Sequence, residues 1–122
     1  MSETKTKLNF HVELKAKMDN FAHLAYAITK KFPREEIYGI TSQLRRASLS
    51  VILNYIEGYA RMSDKSHRNF LLISFGSLKE SEYLLEFSLK EGFLMESDYD
   101  KAMVLVKEIG AILWGTIKGL QE

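Results

Sequence analysis

The sequence predicts an all-α protein, an antiparallel up-down-up-down four-helix bundle. Three observations lead there. Apolar residues recur at steps of three and four along four segments, and no period of two persists. One proline and seven glycines are too few for the many turns of an all-β chain. The breaks between the segments fit the connections of about two to eight residues that join neighbouring antiparallel helices.

With 122 residues, 46% hydrophobic and 27% charged, the chain reads as one globular domain. Residues 1–9 are polar and are expected to form a flexible N-terminal segment, with the bundle occupying 10–122. There is no cysteine, which excludes disulfides, thiolate metal sites and thiol nucleophiles. No apolar run approaches the roughly 20 residues of a membrane span. The N-terminal lysines are not followed by the apolar stretch of a signal peptide, so a cytoplasmic protein without a membrane role is expected.

Helix 1 is expected over about 10–31. Leu14, Met18, Phe21, Ala25, Ile28 and Phe32 form its inner stripe, Lys30 and Lys31 favour its last turn, and Pro33 stops it. Helix 2 is expected over about 35–60, with Glu35 and Glu36 in its first turn. Gly39 is a weak point able to separate that turn, and Gly58 is read as loosening the other end. Ser63 is a natural N-cap for helix 3, expected over about 64–91 with Gly92 as its stop. Its inner face carries Phe70, Ser74, Ser77, Leu78, Ser81, Leu84, Leu85 and Ser88, and the serines at 74, 77 and 81 permit close helix approach. Ser97 to Asp100 reads as a capping box opening helix 4. That helix then runs to about Gly119, with Ala111, Gly115 and Gly119 as a small-residue row.

Charge is unevenly distributed. The total is +1, but residues 1–68 carry +5 and residues 69–122 carry −4. Either the antiparallel helices interleave these charges or a basic patch survives. On helix 2, Gln43, Arg46, Ser50, Asn54, Glu57 and Arg61 fall in a narrow polar sector, and most of the remaining circumference is apolar. A helix of that pattern buries more than one side, so Leu49, Ile52 and Ile56 are expected to meet a partner. The polar sector is either a solvated face or an interface, with Glu82 of helix 3 a further interface candidate. Arg45 points away from it, among apolar residues, and needs a partner.

Several motifs stand together in a familiar order: Phe32-Pro33, Tyr38-Gly39, Gln43-Leu44-Arg45-Arg46-Ala47, Asn54, Glu57-Gly58, Arg61, Ser63, Phe70-Leu71 and Gly76 to Glu82. Over about 32–94 the chain resembles the four-helix bundle protein family, also called the S23 ribosomal protein or 23S rRNA intervening-sequence protein family. Two departures stand out: Ile52 where that family often has proline, and Ala60 where it usually has a second glycine. The resemblance implies a small all-α homo-oligomer, commonly a pentameric ring, with genes found inside insertions in large-subunit rRNA genes. A related retroelement accessory protein that binds nucleic acid shares the fold, and no enzymatic activity is implied.

The residues themselves offer no catalytic constellation, cofactor motif or small-molecule substrate. His11 and His23 lie about 120° apart on one helix and do not converge. The Asp64-x-x-His67 step at a helix start reads as capping and solvation rather than a metal ligand pair. Trp114 reads as a core or interface filler. Two readings follow. One is a non-enzymatic oligomeric scaffold binding RNA or DNA through Arg34, Arg45, Arg46, Arg61, Lys65 and Arg68. The other is a self-assembly or protein–protein module with no nucleic-acid role.

Overall fold

The structure is a computed structural model that describes residues 3–120; Met1, Ser2, Gln121 and Glu122 lie outside the described residues. Four helices follow in order: α1 (Glu3–Thr29), α2 (Ile40–Tyr59), α3 (Asp64–Lys90) and α4 (Glu96–Lys118). A single 3-10 turn, Arg34–Glu36, precedes α2. Helix α1 packs on α2 and α4, and α3 packs on the same two, so sequence neighbours are neighbours in space.

Cross-helix contacts give the directions. His11 meets Tyr55 while Thr29 meets Arg45, so the start of α1 lies beside the end of α2. Lys17 reaches Glu108 and Lys31 reaches Asp98, which runs α4 against α1. Ser50 bonds Ser77, and Tyr59 packs on His67, which reverses α3 against α2. Phe75 packs on Trp114, and a methyl group added at Gly110 would meet Leu78. The up-down-up-down bundle expected from periodicity is the fold.

The core follows the stripes. All six inner residues expected of α1 are buried, as are Val106, Leu113 and Ile117 of α4. On α3, Ser74, Ser77, Ser81 and Ser88 are buried with Leu71, Leu78, Leu84 and Leu85. Their hydroxyls are satisfied at short range. Ser74 donates to the Val51 carbonyl across the helix pair at 2.6 Å, and Ser81 and Ser88 donate to carbonyls four residues back at 2.9 and 2.7 Å. A small side chain that satisfies its own hydroxyl lets two backbones approach without leaving a polar group bare.

Several boundaries differ from expectation. Helix α1 begins at Glu3 rather than Phe10. It ends at Thr29, so Lys30 and Lys31 lie beyond its last turn. Thr29 Oγ1 turns back to the Ala25 and Tyr26 carbonyls at 2.7 and 3.2 Å, and the Lys31 and Phe32 amides close tight turns ahead of Pro33. Gly39 does divide helix 2: it caps α2, leaving 34–36 as a separate turn. Gly58, read as a loosening residue, is instead a buried helical position against α3. Ser63 caps α3 by accepting from the Ser66 amide at 3.1 Å. Gly92 adopts φ 80°. Beside it the Phe93 amide reaches the Ser88 carbonyl at 2.9 Å and the Gly92 amide the Leu89 carbonyl at 3.1 Å, a Schellman closure. Ser97 does not cap α4. Met95 holds that position without a side-chain bond, and Asp98 turns aside to Lys31 at 2.6 Å.

Candidate functional site

The polar sector of α2 runs along its seam with α3, and its two ends behave differently from its middle. Ser50 shares a 2.7 Å hydrogen bond with Ser77, and Asn54 donates to the Ser50 hydroxyl and carbonyl, each at 2.9 Å. Both residues are half-buried. In the middle of the sector Ser50 thus joins the two helices, and Asn54 is spent on Ser50 within α2. Gln43, Arg46, Glu57 and Arg61 remain exposed at its ends. Glu57 pairs with Arg61 one turn away, and the Arg61 guanidinium also lies 4.4 Å from the centre of the Phe70 ring. Glu82 does not join this sector. It is half-buried, accepts from Lys79 at 3.4 Å, and lies near Tyr99 of α4.

The basic candidates divide into two groups. Arg46 and Arg61 are separated by 15 residues of sequence, about 22 Å along a helix axis. Arg61, Lys65 and Arg68 belong to the α2–α3 turn; the first two are exposed and Arg68 is half-buried. Arg34, Arg45 and Arg46 gather at the opposite end of α2. Arg45 finds there the partner it required: its Nε donates to Thr29 Oγ1 at 2.8 Å, and its guanidinium lies 4.7 Å from the centre of the Tyr26 ring. Two shallow grooves meet at Arg45 and Ile37. One is lined also by Lys30, Arg34 and Thr41, the other by Tyr26, Tyr38, Arg46 and Leu53. Tyr38, 94% exposed, stands on the connection between the grooves' helices. Four cations and two aromatic rings therefore share one corner of the bundle. Sequence reasoning found the arginines but not Lys30, Tyr26 or Tyr38. The signal for Tyr38 was its place beside the helix-breaking Gly39.

The charge asymmetry is resolved unevenly. Across the α1–α4 seam, Lys17 meets Glu108 at 3.3 Å and Lys31 meets Asp98 at 2.6 Å, joining the basic half to the acidic one. Exposed Arg34 and Arg46 lie on the far side of α1 from that seam, so the basic character persists at the α2 corner. The apolar reading of α2 needs correction at one residue. Ile52 is covered within the single chain, Leu49 is half-buried, and Ile56 is exposed. Ile52 belongs to the hydrophobic core of the bundle. Leu53, Ile56 and Tyr59 on α2 stay exposed, with Ile73, Tyr83 and Phe87 on α3.

A second cluster, missed in the sequence, fills the other end. His11 Nδ1 shares a 2.6 Å hydrogen bond with the Tyr55 hydroxyl. The His11 ring lies 4.0 Å from Tyr59, and Tyr59 lies 4.8 Å from His67. His67 is therefore turned inward rather than solvated, while Ser63 does the capping. Burial pulls both imidazoles below their ordinary range, aided at His11 by Lys15 and His67 and opposed at His67 by Asp64. Burial, with Tyr59 adding to it, holds the Tyr55 phenol protonated well beyond its usual range. His23, as expected, stands apart at the surface and meets Asp19 at 3.4 Å. Among the described residues, no group of three or more acidic or histidine side chains is placed to hold a metal ion. No helix among them is long and apolar enough to cross a membrane.

Comparison with known proteins agrees with the fold. A crystal structure of a protein of unknown function from the S23 ribosomal protein family of Bacteroides thetaiotaomicron is similar, with a TM-score of 0.80 and 24% identity. The similarity covers 86% of this chain and 98% of that one. No curated protein matches. Residues 11–115, which span α2 and α3 and most of α1 and α4, match the 23S rRNA-intervening sequence protein family, and the chain belongs to that family.

Proposed function

We propose that the protein is a non-enzymatic, cytoplasmic scaffold that self-assembles and binds nucleic acid through the basic corner at the start of α2. The observation that carries this reading is the meeting of Lys30, Arg34, Arg45 and Arg46 with Tyr26 and Tyr38 around two adjoining grooves. Guanidinium groups give strong contacts to phosphate, and an exposed ring offers a stacking surface to any unpaired base. The pairing favours a single-stranded or looped RNA over a rigid duplex. One such corner supplies few phosphate contacts. Repetition around a ring, of which a pentamer is the form we favour, multiplies them through avidity. The exposed Leu53, Ile56, Ile73, Tyr83 and Phe87 supply apolar surface for that assembly.

A mobility-shift series with single-stranded RNA tests the proposal. Affinity should fall as salt rises, with a log–log slope of about −0.7 per phosphate contact. Arg34→Glu combined with Arg46→Glu should abolish the shift, since both side chains are exposed and reverse the corner's charge without touching the core. Arg61→Glu, at the other end of α2, should change it little. Binding that ignores salt, or survives the double reversal, overturns the reading. Light scattering on the same samples addresses the alternative: an oligomer that binds no nucleic acid under any salt condition is a self-assembly module only.

A further inference from the structure

The end of the bundle opposite the basic corner carries a cavity of about 490 Å³, within the size range of small-molecule sites. Its existence follows from residue choice on α4. That helix presents Ala111, Gly115 and Gly119 toward the opening, and a methyl group placed on Gly115 would meet nothing within 4 Å. The neighbouring stripe of the same helix is close-packed, with Ile109, Leu113 and Ile117 wholly buried. Ala111, Gly115 and Gly119 are exposed, so the strip forms one side of an open groove beside the filled core.

The facing wall is aromatic. Tyr59 is its centre, 4.0 Å from the His11 ring, 5.0 Å from Tyr55 and 4.8 Å from His67. None of the described lining side chains is an Asp, Glu, Lys or Arg. Among the described residues, the buried His67 Nε2 beside this wall has no hydrogen-bond partner and is closed off from groups the size of water.

We propose that this cavity binds a small, uncharged, planar aromatic molecule, held between the Tyr59 cluster and the bare strip of α4. The flat guest matches the slot between rings and glycines. Its lack of charge matches a wall whose described residues carry no ionic side chain, and where burial holds the two imidazoles below their ordinary range. This inference is independent of the proposed nucleic-acid role, which uses the other end of the molecule.

The probe is 2-naphthol, titrated into the full-length protein at about pH 7.5, where free imidazole is mostly neutral. Binding is followed by nitrogen-15 NMR of the backbone and the histidine side chains. Saturable shifts at His67, Tyr59 and Gly115 are expected. Gly115→Leu and, separately, Ala111→Leu place a side chain in the slot, and each should weaken binding by about tenfold or more. Circular dichroism and the thermal midpoint of both variants should stay at or above the parent's, because each position faces open space. Naphthalene-2-sulfonate should bind about tenfold more weakly, because its charge must be desolvated. Absence of saturable binding overturns the proposal. So do shifts confined to other parts of the bundle, unchanged affinity in both leucine variants, or equal affinity for the sulfonate.

Discussion

Glycine-to-alanine substitution inside α2 and α4 separates helix propensity from packing, because the same chemical change meets opposite surroundings. Alanine is favoured over glycine in a helix interior by about 1 kcal/mol, whatever lies outside the helix. At Gly58 the new methyl group would lie 3.1 Å from His67 Cδ2, 3.2 Å from the His67 carbonyl and 3.2 Å from Phe70 Cβ. Two of these neighbours are fixed to the α3 backbone, so α2 and α3 must separate by a few tenths of an ångström. Overpacking of this kind costs about 1–3 kcal/mol and shifts the balance to a net loss of about 1 kcal/mol. At Gly115 nothing lies within 4 Å, and at Gly110 the nearest atom is the flexible Leu78 Cδ2 at an ordinary 3.5 Å. There the propensity gain survives. Unfolding entropy of about 2.1 cal/mol/K per residue over 122 residues means that 1 kcal/mol moves the midpoint by about 4 °C. Thermal and urea unfolding should therefore show Gly58→Ala falling by about 4 °C or more, and Gly115→Ala and Gly110→Ala rising by about 2–4 °C. A rise for Gly58→Ala, or three shifts of one sign, refutes the claim that the α2–α3 crossing is set by that glycine.

Other measurements probe the remaining contacts. His11 and His67 titrate below about 6.5 in the folded chain, so the unfolded chain binds protons first as pH falls. Stability is then fully present above pH 6.5 and is lost through the acid range below it; midpoints should drop from pH 7.5 to 5, and His11→Gln with His67→Gln should flatten that slope. Ser74→Val removes a buried donor to the Val51 carbonyl and adds bulk at the crossing, costing about 2–4 kcal/mol in urea unfolding, against about 1 kcal/mol for Ser74→Ala. Ser63→Ala should cost about 1 kcal/mol through the lost cap, whereas Ser97→Ala should change stability by less than about 0.5 kcal/mol.

A helix's own period tells which residues share a face, but not which faces have neighbours or how close those neighbours come. The stripes of α1 and α3 were legible because each helix has one inner face and the 3–4 spacing marks it. Ser74 and Ser77 were legible as contact residues for the same reason: small polar groups amid leucines announce a close crossing. Gly58 was not, since a glycine near a helix end and a glycine at a crossing look alike until the facing helix is placed. The α2 sector shows the limit more sharply. Its six polar residues fall in one sector, yet Ser50 is spent on Ser77 of α3 and Asn54 on Ser50, while Arg46 and Arg61 stay exposed, and only the partner helix distinguishes them. The same holds for Ile52, which joins the core while Ile56 on the same helix stays exposed. Histidines were compared along one helix, where His11 and His23 diverge, whereas the cluster unites His11 and His67 from different helices through Tyr59. Each site that escaped the sequence was assembled between elements rather than within one. The two ends of the bundle, one basic and exposed, the other aromatic and hollow, are both of that kind.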